Sequence, residues 1–265
     1  YMESTKFKAN PYNFSNKLIS KEDIINIMKK LNINDFKINN LSLYQTAFVH
    51  KSYCPMVDYD EFKNDNNDLP LQDTSYETME FLGDSILSSS VSSYLYKRFY
   101  EIHGENEGFL TKIRTRIVCG ENLAKLSNDL KFNEFIIISK HIEENCSGRS
   151  NTHILEDVFE AFIGAVFLDN DYEFAKNIIL TIIEELVDFT DIIINDNNFK
   201  DQILKYCQHN FKIYPQYKHI RKDDDNIFYC NLIVNDITIT GEGKTKKKAE
   251  QDASMKTLKY YNVLT

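Results

Sequence analysis

No apolar run in these 265 residues is long enough to span a membrane, and the opening stretch YMESTKFKANPYNF lacks the apolar core of a signal peptide. An intracellular, cytoplasmic chain with no membrane partner is therefore expected. Tryptophan is absent, and no two cysteines stand in a C-x-x-C arrangement. The five cysteines, Cys54, Cys119, Cys146, Cys207 and Cys230, are odd in number and scattered. They read as free thiols in a reducing compartment, and they argue against a zinc site. His50 and Cys54 could share a helix face, but without further ligands they read as packing residues. Strand-like alternation of any length is missing before residue 195, and there is no internal repeat. What remains, 42% hydrophobic and 27% charged, is the balance of a globular protein with enough chain for one large or two modest cores.

The formal charge of −9 speaks against a polyanionic partner until it is counted by region. From Asn198 to Thr265 there are 12 Lys or Arg against 8 Asp or Glu, which gives +4 and leaves −13 on the preceding 197 residues. A basic module attached to an acidic one suggests that the tail holds a polyanion while the acidic part does something else.

Apolar residues recur at helical spacing in KEDIINIMKKLNI (21–33), in LSLYQTAFVHKSY (41–53), and from about 75 to Tyr100. The same period continues in GFLTKIRTRIVCGENLAKLSNDL, ILEDVFEAFIGAVFLD and YEFAKNIILTIIEELVDFTDIII. Ahead of the first of these lies a polar leader. Residues 55–74, acidic and rich in Asn, read as an exposed insertion. The pattern predicts an all-helical domain over 1–194 and a linker at 195–198. Beyond it, a helix (199–211), three short alternating segments and a second helix (245–261) predict an α-β-β-β-α domain over 199–265.

Acids interrupt two of the most apolar helices. In SYETMEFLGDSIL, Glu77, Glu80 and Asp84 fall within about 60° of one another around the helix axis, with Leu82 and Ile86 roughly opposite. In HILEDVFEAFIGAVFLD, Asp157 and Glu160 share a face that Ala161 and Gly164 continue, small residues that leave room for a close helix or a ligand. One such stripe is ordinarily a solvated face. Two in one domain suggest stripes that face each other. Carboxylates gathered in this way raise one another's pKa unless divalent cations neutralise them, and hard oxygen ligands select Mg²⁺ or Mn²⁺. Such ions activate water for phosphodiester cleavage.

YETMEFLGDSIL resembles the signature of the ribonuclease III family, and ILEDVFEAFIGAVFLD is similar to that family's second acidic motif. LYQTAFVHKSY and EGFLTKIRTRIV match its flanking helices, and the C-terminal module looks like its double-stranded-RNA-binding domain. The resemblance implies a divalent-metal-dependent endoribonuclease that cuts double-stranded RNA as a homodimer. Its products would carry 5′-phosphate and 3′-hydroxyl ends with short 3′ overhangs. It makes Glu80, Asp84, Asp157 and Glu160 the catalytic, metal-binding set, with Mg²⁺ the cofactor and Mn²⁺ able to replace it. Glu77 would lie near the RNA path, and Phe81 would plug into the partner subunit, where the ordinary alternative is core packing. Glu156 replaces a residue usually small in the family and reads as solvated.

In GEGKTKKKAEQDA, Lys244, Lys246, Lys247 and Lys248 stand at a helix start, where free N–H groups and the helix dipole already favour phosphate, with Thr245 as N-cap. A lysine run alone is usually a solvated face. Behind a Gly-rich turn that closes a three-stranded sheet, it matches the way the double-stranded-RNA-binding fold straddles phosphates. Two departures from the family stand out: Lys205, counted with the lysine run and Glu77 among the RNA-binding residues, sits where Glu is frequent, and Asp224, in the acidic loop Asp223–Asp225, stands where a minor-groove His is common. Two other readings compete with the nuclease, a non-catalytic RNA-binding scaffold on the same fold and a small-molecule phosphohydrolase. All four acids are present, which speaks against the first, and the basic module speaks against the second.

Overall fold

The computed structural model describes residues 9–64, 68–194, 198–221 and 227–264. The chain divides into two compact units, Tyr1–Ile192 and Ile193–Thr265. Residues 195–197, most of the expected linker, and 65–67, within the expected insertion, lie outside the described residues.

In the first unit, helices α1 (Lys21–Lys30), α2 (Leu41–Thr46), α3 (Glu77–Leu95), α4 (Glu107–Ile117) and α5 (Gly120–Asp129) are followed by α6 (Lys140–Asn145), α7 (Thr152–Asp169) and α8 (Tyr172–Leu186), and α9 (Phe189–Ile194) runs across the boundary between the units. Local chemistry sets several of the ends. Ser20 and Asp23 form a reciprocal capping box on α1, and Asn106, Asn151 and Asp171 cap α4, α7 and α8. Helical spacing runs through the sequence from 172 to 194 without a break. The Asp188 carboxylate instead accepts from the N–H groups of Thr190 and Asp191 at 2.9 and 3.1 Å, which starts α9 as a separate helix. At its other end α3 runs on into a π-helical turn, Tyr96–Glu101.

Helix α7 is apolar around most of its circumference and is buried from Val158 through Val166, so it forms the centre on which the other helices pack. Its Phe162 ring meets Phe36, Tyr44, Phe48 and Phe132 at centroid separations of 4.7–6.4 Å. Against α7 lies α3, and the two approach through glycine. A Cβ on Gly83 would stand 1.8 Å from the Glu160 carbonyl oxygen, and one on Gly164 would stand 2.3 Å from that of Met79. The small stripe of α7 thus serves close helix approach. Leu82 is partly buried against the core and Ile86 is buried.

The polar leader and the segment read as an exposed insertion are both tied down. In the leader, Pro11, Asn13 and Asn16 are buried. The amides of Asn13 and Asn16 donate to the Ile138 carbonyl at 3.2 and 2.9 Å, and Ile138 N–H donates back to Asn16 at 3.2 Å. Arg149 supplies the Ile136 carbonyl at 3.0 Å, while Ile137 forms an isolated parallel bridge with Val49. The end of the 55–74 segment also returns to the body. Tyr53 donates its hydroxyl to Leu69 O at 2.7 Å, Gln72 N–H donates to Tyr53 O at 3.0 Å, and Leu69 and Leu71 pack on Val49, Tyr53 and Ile137. Polar composition concealed both attachments, because each is made by a few side chains reaching backbone groups distant in sequence.

In the second unit, α10 (Phe199–Asn210) and α11 (Lys246–Tyr260) pack on one face of an antiparallel sheet of β1 (Gln216–Arg221), β2 (Phe228–Val234) and β3 (Ile237–Gly243), in that order. Its core is Ile203, Cys207, Leu232, Val234, Ala253 and Leu258. All five cysteines are free, and among the described residues no helix is long and apolar enough to cross a membrane.

The glycine approach gives a direct test. Gly83→Ala forces a methyl group into the backbone of α7, and overpacking of a rigid site costs about 3 kcal/mol. Chemical denaturation should show the unfolding free energy falling by an amount of that order, and an unchanged value would mean that the helices can part freely.

Candidate metal centre and basic surface

Gly83 and Gly164 bring the rims of α3 and α7 together, and the acids on those rims converge. Carboxylate oxygens of Glu80, Asp157 and Glu160 all lie within 4.8 Å of one another. Glu160 is only 7% exposed, and the other two are half-buried. Burial pushes the Glu160 carboxyl up from its usual 4.5 to about 8, helped by the charges of Asp84, Glu156, Glu80 and Asp157. Glu80 is pushed up by burial first and then by Asp157 and Asp84. Asp157 is also raised by burial, against the opposing effect of the Tyr76 hydroxyl. At neutral pH three ionised carboxylates this close are mutually destabilising. The donor set is entirely hard oxygen, and its unfavourable charge is the kind that a hard divalent cation relieves. The residues therefore fit such an ion.

Asp84, one turn beyond Glu80, is exposed and stands outside the group of three. Ser88 donates to its Oδ1 at 3.3 Å, and among the neighbouring charges it contributes most to the shift at Glu160. Glu77 is also exposed and pairs with Lys51 at 3.0 Å. Glu156, expected to be solvated, is half-buried instead. Its carboxylate lies where a Cβ on Gly120 would be, 2.3 Å from that point, with His153 Nδ1 at 3.6 Å. A glycine opening α5 makes that space, which the acid's own helix could not disclose. Phe81 points away from the core and is 76% exposed.

Tyr76, which sequence reasoning passed over, donates its hydroxyl to Asp157 Oδ2 at 2.9 Å. Its place directly before the acidic stripe was visible, but nothing in one sequence indicates that its ring turns inward toward another helix.

In the second unit Lys244, Lys246, Lys247 and Lys248 are all exposed, and the last three open α11. Thr245 caps that helix, its hydroxyl accepting from Lys248 N–H at 3.2 Å. Four cations and the free N–H groups of a helix end thus share one small area, the arrangement that suits phosphate oxygens. Lys205 is exposed too, but its ammonium is engaged by Asp201 at 2.6 Å, one turn back on α10. The Asp223–Asp225 loop lies outside the described residues.

Residues 40–186 match a family described as ribonuclease-III-like, and residues 199–261 match the double-stranded RNA binding motif. The chain is 33% identical over 261 residues to Ribonuclease 3 of Borreliella afzelii, covering 96% of this chain and 97% of that one. It is 35% identical over 225 residues to Ribonuclease 3 of Enterococcus faecalis, with 83% and 91% covered. Among solved structures, the nuclease domain of ribonuclease III from Campylobacter jejuni matches 62% of this chain and 98% of its own length, at 32% identity and a TM-score of 0.49.

Proposed function

Given that the chain belongs to the ribonuclease III family, we propose that it is a divalent-metal-dependent endoribonuclease acting on double-stranded RNA, with Glu80, Asp84, Asp157 and Glu160 as its catalytic set. The observation that carries this reading is the convergence of Glu80, Asp157 and Glu160 from two helices onto one point. These three, with Asp84 at the rim, would hold Mg²⁺, and Mn²⁺ could take its place. When bound, such an ion supplies an activated water and positive charge for the oxygens that gain negative charge as the phosphodiester breaks.

The protein's own part is to position and to neutralise. Glu160 is the most buried of the acids and carries the strongest drive to take up a positive partner, a proton when no metal is present and a cation when one is. Asp84, exposed on the same side of α3, is free to turn toward the reacting phosphate's counter-ion. The Lys51–Glu77 pair flanks this rim and leaves Glu77 accessible to the RNA path. In the second unit Lys244 and Lys246–Lys248 bind phosphates of the duplex, so that affinity and chemistry rest on different residues. Hydrolysis in this way leaves 5′-phosphate and 3′-hydroxyl ends.

The exposed Phe81 supports a homodimer. A large aromatic side chain bare to solvent, adjacent in sequence to Glu80, gains most by entering a second copy. Two metal centres related by a two-fold axis would each cut one strand and leave short 3′ overhangs.

A long perfect duplex incubated with and without Mg²⁺ tests the activity. Glu160→Gln should reduce cleavage by more than about 100-fold, exceeding the loss typical of outer-shell changes, while gel-shift affinity for the duplex is retained. Wild-type cleavage by that variant across a Mg²⁺ titration would remove the metal centre from the mechanism.

Replacing Lys246, Lys247 and Lys248 by Ala should weaken duplex binding and lower the slope of log affinity against log salt by about one for each phosphate left unneutralised. An unaltered slope would identify the lysine run as a solvated face.

Phe81→Ala should shift sedimentation toward the monomer and reduce double-strand cleavage in parallel. A fully active wild-type monomer would exclude the two-fold arrangement.

A further inference from the structure

Tyr76 occupies the joint between the two helices that carry the acids. Its main chain belongs to α3: its carbonyl accepts from the N–H groups of Met79 and Glu80, each at 2.9 Å, and so closes the helix's first turn. Its own N–H donates to the Val49 carbonyl at 2.8 Å, which fixes that turn to the body of the unit. Its side chain belongs to α7, because the hydroxyl crosses to Asp157 Oδ2 at 2.9 Å. The residue is only 2% exposed, and its ring lies against His50 at a centroid separation of 5.8 Å. A phenol packed on its faces has one direction in which to point its proton, and here that direction is the aspartate.

From this geometry we infer that Tyr76 is a positioning residue of the metal centre, orienting the Asp157 carboxylate so that its free oxygen faces Glu80 and Glu160. The inference rests on the metal-centre reading given above and adds to it a residue outside the acidic set. A carboxylate bound by one rigid donor keeps its other oxygen in place, and outer donors of this kind fix ligand orientation in metal sites generally. The donor is present at neutral pH, since a tyrosine phenol ordinarily loses its proton only at about pH 10. Because the same residue closes the first turn of α3, the positions of Glu80 on one helix and Asp157 on the other are set by one side chain and its backbone.

Tyr76→Phe keeps the ring and removes only the hydroxyl. Calorimetric titration of the full chain with Mn²⁺, in the absence of RNA, should show affinity falling about tenfold, the lower end of the range for removal of outer-shell partners. The metal-free melting temperature should stay close to that of the wild type, and saturating Mg²⁺ should restore duplex cleavage. Undiminished Mn²⁺ affinity in the variant would overturn the inference, and a lowered melting temperature with undiminished affinity would assign Tyr76 to packing alone. If the wild type itself binds no Mn²⁺, the metal-centre reading fails and this inference fails with it. A wild type that binds Mn²⁺, compared with a variant that binds it equally well, removes only the role of Tyr76.

Discussion

Helices α3 and α7 touch backbone to backbone at Gly83 and Gly164, and the position of every acid in the site follows from that approach. Ordinary helix pairs stand about 8–10 Å apart because side chains fill the space between them. Removing the side chain from both sides lets the axes draw together, and the residues flanking the crossing, Glu80 before Gly83 and Glu160 before Gly164, are then carried into ligand range of each other. The buried aromatic cluster around Phe162 and the apolar girth of α7 hold this approach against the repulsion it creates. A largely apolar core thus supports a local cluster of acids, as functional sites commonly require.

Charge is distributed in the same spirit. The first 197 residues carry −13, so the surface that cuts RNA is the wrong sign to attract it. Two features offset this. On the proposed mechanism, cations held by the carboxylates would reverse the sign at the point of chemistry, and the +4 module would bind phosphates. Encounter and catalysis would then rest on different residues: the lysines of α11 would govern how tightly a duplex is held under given salt, while the acids would govern whether it is cut.

The parts of this arrangement that sequence could reveal are those written in periodicity and residue type. Two acidic stripes on apolar helices, the order of elements in the C-terminal module and the Thr245 cap were all legible, since each depends on neighbours within a few positions. Interactions that depend on a partner far along the chain were not. The burial of Glu156 is made possible by Gly120, the attachment of the leader by carbonyls some 120 positions away, and the orientation of Asp157 by Tyr76, 81 positions before it. Asp84 illustrates the reverse. It belongs to the stripe by helical geometry, yet it lies at the exposed edge with Ser88 donating to it, and helix phase alone could not separate it from Glu80.

The short extended segment Ile136–Ile138 carries a further consequence. Isolated extended backbone invites another chain to add to it, because unpaired N–H and C=O groups form a ready template. Here Arg149 occupies one carbonyl, Asn13 and Asn16 share another, Asn16 also receives the Ile138 N–H, and Ile137 is bonded on both counts to Phe48 and His50. Side chains from the leader and from Arg149 thus close off this segment. Groups that a further strand would need are thus already partnered inside the unit, and the leader supplies part of that partnering.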